Sequence, residues 1–175
     1  MHPLLTHGFG LVCGRNPDHI WVLGGVPLPF CERCTGLYAG ACLAWLALRF
    51  LRPGMTPAFL WSHAGLLVLM GPFGFHAVEQ GPLLRTLSGA WFAFGLVVLL
   101  NIHRPSPNPL PAQRYWIAFL SSLVLIPLAA QSNTAPAFWL LTLLGMVGAA
   151  ALLFSVCGLA GDLLRSAVRC EAPAS

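Results

Sequence analysis

Residues 136–159 read PAFWLLTLLGMVGAAALLFSVCGL, twenty-four positions without one Asp, Glu, Lys or Arg. A helix that crosses the hydrocarbon core of a bilayer needs about 20 predominantly apolar residues, so this run places the chain in a membrane. Working outward, four more runs repeat the pattern: Tyr115 to Ala130, Pro82 to Ile102, Pro57 to about Phe75, and Thr35 to Phe50. They are too continuous for barrel strands and lack the alternation that barrels require. The expected fold is therefore an all-α membrane protein, a small bundle of about five transmembrane helices. The third and fourth runs are separated by His103-Arg104-Pro105-Ser106-Pro107-Asn108-Pro109, where recurring proline forbids a helix.

Composition agrees. The chain has 175 residues, 57% of them hydrophobic and only 8% charged. A soluble domain carries about 25% charged residues, and this chain could not cover a surface with its own. A cytosolic enzyme and a disordered tail are excluded on that ground. The net charge of +4 comes from scattered arginines, with no lysine, and forms no basic stripe of the kind that nucleic acids require. The partner to expect is the lipid bilayer. With the N-terminus outside, Arg49, Arg52, Arg104, Arg114, Arg165 and Arg169 lie on the cytoplasmic side, and Arg15, Arg33 and Arg85 on the other. That positive-inside bias favours an integral protein of a prokaryotic inner membrane with its N-terminus outside. Three parts follow: an extramembrane Cys/His-containing loop over 1–34, the helical bundle over 35–160, and a polar tail over 161–175. The first 30 residues show no signal-peptide pattern. They read as a structured loop capping the outer end of the bundle. Small residues at Gly36, Gly40 and Ala44, at Gly89 and Ala93, and at Gly145 and Ala149 recur at helical spacing, which lets helix backbones approach closely. Trp91, Trp116 and Trp139 fit aromatic belts at span ends.

The chemistry concentrates at Cys31-Glu32-Arg33-Cys34, a CxxC at the mouth of the first span. Two intervening residues let both sulfurs face one centre, which suits a metal or a reversible disulfide. A helix N-terminus and the adjacent Arg33 both favour thiolate, the form that ligates metals and attacks disulfides. Cys13 lies 18 residues upstream of Cys31, across a glycine- and proline-rich stretch that can fold back. A closed zinc site takes four ligands. Cys13, Cys31 and Cys34 supply three, and His7, His19 or His76 is the fourth, His19 being best placed along the chain and His76 best placed on a helix. Thiolates sharing one metal should have their sulfurs within roughly 4 Å of one another. Cys42, Cys157 and Cys170 read as packing or surface thiols.

His76, Glu79 and Arg85 form a second polar cluster at the same depth. Ionisable groups beside a membrane core are functional candidates by default, and the competing reading is an interfacial ion pair that tethers a loop. His63 is the other ionisable group within a span, and together these give no evident ion path, which ranks transport last. Walker, HExxH and Ser-His-Asp patterns are absent from the sequence.

The stretch Pro29-Phe30-Cys31-Glu32-Arg33-Cys34-Thr35-Gly36-Leu37-Tyr38-Ala39-Gly40 resembles the signature of a bacterial and archaeal membrane protein family known as domain of unknown function 2085. Its members carry P-x-C-x-R-C-T-G-x-Y-x-G at the start of a transmembrane helix, with an upstream cysteine that Cys13 matches. Arg85-Thr86-Leu87-Ser88-Gly89 is similar to a later family pattern. The chain departs from the family at Gly14, where members often have His, and at His76, where many have an acidic residue. The resemblance implies a shared role for the three cysteines and lends no biochemical activity. Two uses stay open. One is a thiol site binding zinc or another soft-ligand metal at the outer face. The other is a quinone-linked thiol-disulfide oxidoreductase, with Cys31 or Cys34 attacking, Cys13 relaying electrons, and Arg33 and Arg85 stabilising thiolate or reduced quinone.

Overall fold

In a computed structural model the described residues form five α-helices preceded by a short hairpin segment. The structure describes residues 13, 17–74, 79–102 and 109–171. The helices are α1 (Glu32–Leu51), α2 (Pro57–Gly74), α3 (Pro82–Leu100), α4 (Ala112–Gln131) and α5 (Ala135–Glu171). Four of them, α1, α3, α4 and α5, are long and apolar enough to cross a membrane, and α2 offers a shorter apolar stretch, Pro57–Phe73. Each expected run thus falls on one helix.

Local chemistry sets the boundaries. Proline opens α2 and α3, where its missing N–H costs nothing and its fixed φ suits the first turn. Thr56 caps α2, its hydroxyl accepting from the Phe59 N–H at 3.2 Å. Arg52 closes α1 in the left-handed region (φ 44°), and Pro53 prevents further propagation. The Arg52 carbonyl then accepts from the Leu110 N–H at 2.9 Å, tying the α1–α2 link to the start of α4. The preceding linker, residues 103–108 with Arg104, lies outside the described residues.

Before α1, a three-residue 3-10 turn at Pro17–His19 leads into β1 (Val22–Leu23) and β2 (Val26–Pro27), paired antiparallel. The sequence suggests a structured loop here, and the structure shows a hairpin. The signal was present: Gly24 and Gly25 both take positive φ (58° and 78°), as a two-residue hairpin turn demands. The turn docks on the α4–α5 connection, where the Gly24 N–H donates to Asn133 Oδ1 at 3.0 Å. Leu23, Leu28 and Phe30 are buried, so this segment contributes to the core.

α1 is the central helix. Its buried positions are mostly small: Gly36, Ala39, Gly40, Ala41, Ala44 and Ala47. In lipid no hydrophobic gain separates helix–helix from helix–lipid contact, so association depends on how closely backbones pack. A Cβ on Gly36 would overlap the Thr86 carbonyl of α3, and one on Gly89 the Arg33 carbonyl of α1. On the α5 side, a Cβ on Gly148 would overlap the Tyr38 carbonyl. α5 has 37 residues, which at 1.5 Å each is about 55 Å, well beyond a bilayer core of ~30 Å. Its distal Leu163 and Leu164 are exposed.

Gly89→Ala should therefore destabilise the bundle by about 1–3 kcal/mol, the usual cost of forcing atoms into a packed contact. Gly65→Ala, where an added Cβ meets nothing within 4 Å, should be neutral or slightly stabilising. Thermal unfolding of both variants in detergent checks this; equal melting temperatures would show that the close crossing does not hold α1 to α3.

Candidate metal centre

The thiols are brought together by the start of α1. Cys31 is its N-cap, in extended conformation (φ −70°, ψ 167°), and Cys34 sits one turn in. The Cys31 carbonyl accepts from both the Thr35 N–H (2.8 Å) and the Thr35 hydroxyl (3.0 Å), which fixes this first turn. Cys13 arrives from upstream and is almost fully buried, at 1% exposure. Its sulfur accepts the Cys31 backbone N–H at 3.3 Å, so it rests on the positive end of the helix dipole. The ligand atoms of Cys13, Cys31 and Cys34 all lie within 4.8 Å of one another. Sulfurs around a tetrahedral zinc at about 2.3 Å each are about 3.8 Å apart, so a closure of at most ~1 Å completes the geometry. No disulfide joins them.

One expectation is reversed. The helix N-terminus was expected to lower the thiol pKa values, yet Cys31 is pushed above its ordinary value. Its hydrogen bond with Cys13 is the main cause; burial adds to it, and a hydrogen bond from Cys34 opposes it. Three sulfurs sharing one partly buried place cannot all ionise without a cation among them. The crowding that raises the Cys31 pKa in the absence of metal is what a metal ion would relieve.

The charged residues take other partners than the sequence suggested. Arg85 was grouped with His76 and Glu79. Instead its Nη1 pairs with Glu32 Oε2 at 3.0 Å and donates to His19 Nδ1 at 2.7 Å. The glycine-mediated crossing of α1 on α3 explains this, since it puts the first turns of both helices side by side. Glu79 is exposed, and His76 lies outside the described residues. His19 is not in the group of mutually close ligand atoms. Arg33 Nη2 donates to the Phe73 carbonyl (2.8 Å) and to Gln80 Oε1 (3.1 Å), while Gln80 Nε2 donates to the same carbonyl at 2.8 Å. Arg33 thus closes the C-terminal end of α2, where carbonyls lack helical partners.

Two residues that the sequence reading did not single out as site groups complete the surround. The Thr86 hydroxyl accepts from the Trp21 indole N–H at 2.9 Å and shares its proton between the Glu32 (3.1 Å) and Pro82 (3.0 Å) carbonyls. It joins the loop, α1 and α3 at one atom. Thr86 belongs to the Arg-Thr-x-Ser-Gly pattern, which was a usable signal; nothing local marked Trp21 as its partner.

Comparison with known proteins places the chain in a family of membrane proteins. No solved structure matches the chain. An uncharacterized protein of Methanothermobacter thermautotrophicus is 32% identical over 99 residues, which cover 54% of this chain and 88% of that protein. The family described as predicted membrane protein, domain of unknown function 2085 (DUF2085), matches residues 13–99, beginning at Cys13 and taking in the CxxC and the Arg85–Gly89 stretch. The chain belongs to this family of membrane proteins.

Proposed function

We propose that this is an integral membrane protein of five spans whose N-terminal segment closes over the outer end of the bundle and is held there by a metal bound to Cys13, Cys31 and Cys34. The observation that carries the reading is the convergence of three sulfurs from two chain segments, with a backbone N–H directed at one of them. Three thiolates favour a soft or borderline ion, and zinc fits their tetrahedral arrangement. A histidine completes the four ligands, and His7 and His76 both lie outside the described residues; of the two, His76 is the candidate next to the described site. It follows three residues after Phe73, whose carbonyl is held by Arg33 of the CxxC, whereas His19 commits Nδ1 to Arg85. The metal joins the 1–34 segment to the 35–160 bundle, with 161–175 as a tail. The bilayer is that of a prokaryotic inner membrane, and the N-terminus is outside.

Metal analysis of purified protein tests the site. Wild type should carry about one metal per chain and Cys31→Ser/Cys34→Ser close to none; an absence of metal from both would sink the reading. His76→Ala should lower the affinity, while His19→Ala should leave it nearly unchanged. Thiol trapping separates the redox use of the same sulfurs. Reduced thiols that the metal protects from alkylation support the metal centre; a disulfide that cycles with oxidant overturns it.

Binding displaces thiol protons, and Cys31 holds its proton more tightly than an ordinary cysteine. Metal uptake at neutral pH should therefore release protons, and affinity should fall as the pH is lowered. A pH-independent affinity would exclude thiolate ligation. Orientation is tested by Asn133→Cys: an impermeant thiol reagent should label it in intact cells, and labelling only after lysis would reverse the assignment.

A further inference from the structure

The end of the bundle opposite the thiols carries arginine without acid. α1 and α3 run parallel, since Gly36 and Gly40 of one meet Thr86 and Ala90 of the other. Arg49, in the last turn of α1, therefore lies near the level of Asn101, where α3 ends. Asn101 Nδ2 donates to Ser155 Oγ of α5 at 3.0 Å, which brings α5 to the same level. The bond from the Leu110 N–H to the Arg52 carbonyl joins this end to the start of α4, and Arg114 follows in the first turn of α4. Arg49, Arg52 and Arg114 are all exposed.

The chain has five acidic residues, Asp18, Glu32, Glu79, Asp162 and Glu171. The first three belong to the thiol end, where Glu32 is paired with Arg85. Asp162 lies about 10 Å beyond Ser155 along α5 and pairs with Arg165 at 3.2 Å. Glu171 ends the same helix further out. Among the described residues, then, no ion pair neutralises Arg49, Arg52 or Arg114. The first turn of α4 adds to the positive potential, because it contains no acidic residue and its N-cap, Pro111, makes no side-chain cap. Arg52 also sits at φ 44°, a left-handed conformation in which glycine is the usual residue at a helix end.

Three unneutralised guanidinium groups around one helix junction suit a phosphate, whose oxygens match their planar donor forks. The apolar surface beside them selects a lipid. Phe50, next to Arg49, is 70% exposed. Along α4, Ile117, Leu120 and Val124 continue from Arg114 at helical spacing and are exposed. We propose that the ends of α1 and α4 form a headgroup site for an anionic phospholipid, its phosphate at Arg49, Arg52 and Arg114 and an acyl chain along the Ile117–Leu120–Val124 face. A zwitterionic phospholipid offers the same phosphate with a tethered cation that the three arginines repel, and a free phosphate leaves the apolar face unused. The site is at the other end of the bundle from the sulfurs, so it is independent of the metal centre.

The test titrates the purified full chain in detergent with dioleoylphosphatidylglycerol and with dioleoylphosphatidylcholine, reading bound lipid by native mass spectrometry. Phosphatidylglycerol should be retained at least about tenfold more tightly than phosphatidylcholine. Arg52→Gln and Arg114→Gln should each weaken it about fivefold, whereas Arg165→Gln, which removes an arginine paired elsewhere, should leave it unchanged. Arg52→Gly removes the charge and suits the left-handed backbone, so it should weaken lipid binding without lowering the melting temperature. Soluble glycerol 3-phosphate should not compete, and competition by it would overturn the assignment to a lipid. Equal retention of the two lipids, or an equal loss from Arg165→Gln and Arg114→Gln, would overturn the site itself and reduce the arginines to a diffuse charge.

Discussion

The contact on which the rest depends is backbone against backbone between α1 and α3. Gly36 faces the Thr86 carbonyl, Gly40 faces Ala90, and Gly89 faces the Arg33 carbonyl. At that separation the first turns of the two helices lie side by side. Glu32 then reaches Arg85, and the Thr86 hydroxyl reaches the Glu32 carbonyl. A methyl group at either glycine of the central pair would spread the helices and separate these partners. The polar end of the bundle is thus a consequence of small residues in its apolar part.

This geometry also places the cysteines. The CxxC belongs to the first turn of α1, and the α1–α3 contact orients that turn toward the returning N-terminal segment. Trp21 is held by Thr86, His19 by Arg85, and the hairpin turn by Asn133. With those three anchors the chain upstream is aimed at α1, and Cys13 ends on the Cys31 amide. The charged residues act as fasteners around the sulfurs. Arg33 bonds to a helix end and Arg85 to an ion pair with Glu32. Three crowded thiols balance their own charge by keeping protons or by sharing a cation.

The same bundle carries its polar groups in two places with different chemistry. At the thiol end, glutamate, arginine, threonine and indole groups find partners in one another. Away from the thiols, His63 and Tyr115 lie among aromatic rings.

Much was legible without coordinates. Uninterrupted apolar runs require helices because a bilayer leaves backbone amides no other partner, and each run did fall on one helix. The CxxC at a helix start and an upstream cysteine within easy reach pointed to the three sulfurs, since spacing and loop length are properties of the chain. Gly36, Gly40 and Gly89 could be read as close-packing positions from their interval. Only the tertiary structure decided which side chains pair. Arg85 chose Glu32 over Glu79, and Arg33 turned to the end of α2. Those choices depend on the rotation and separation of helices distant in sequence, which no local interval encodes. The rise in the Cys31 pKa has the same origin: the helix dipole is local and argued for a fall, but the crowding that outweighs it exists only once Cys13 has come back across the fold.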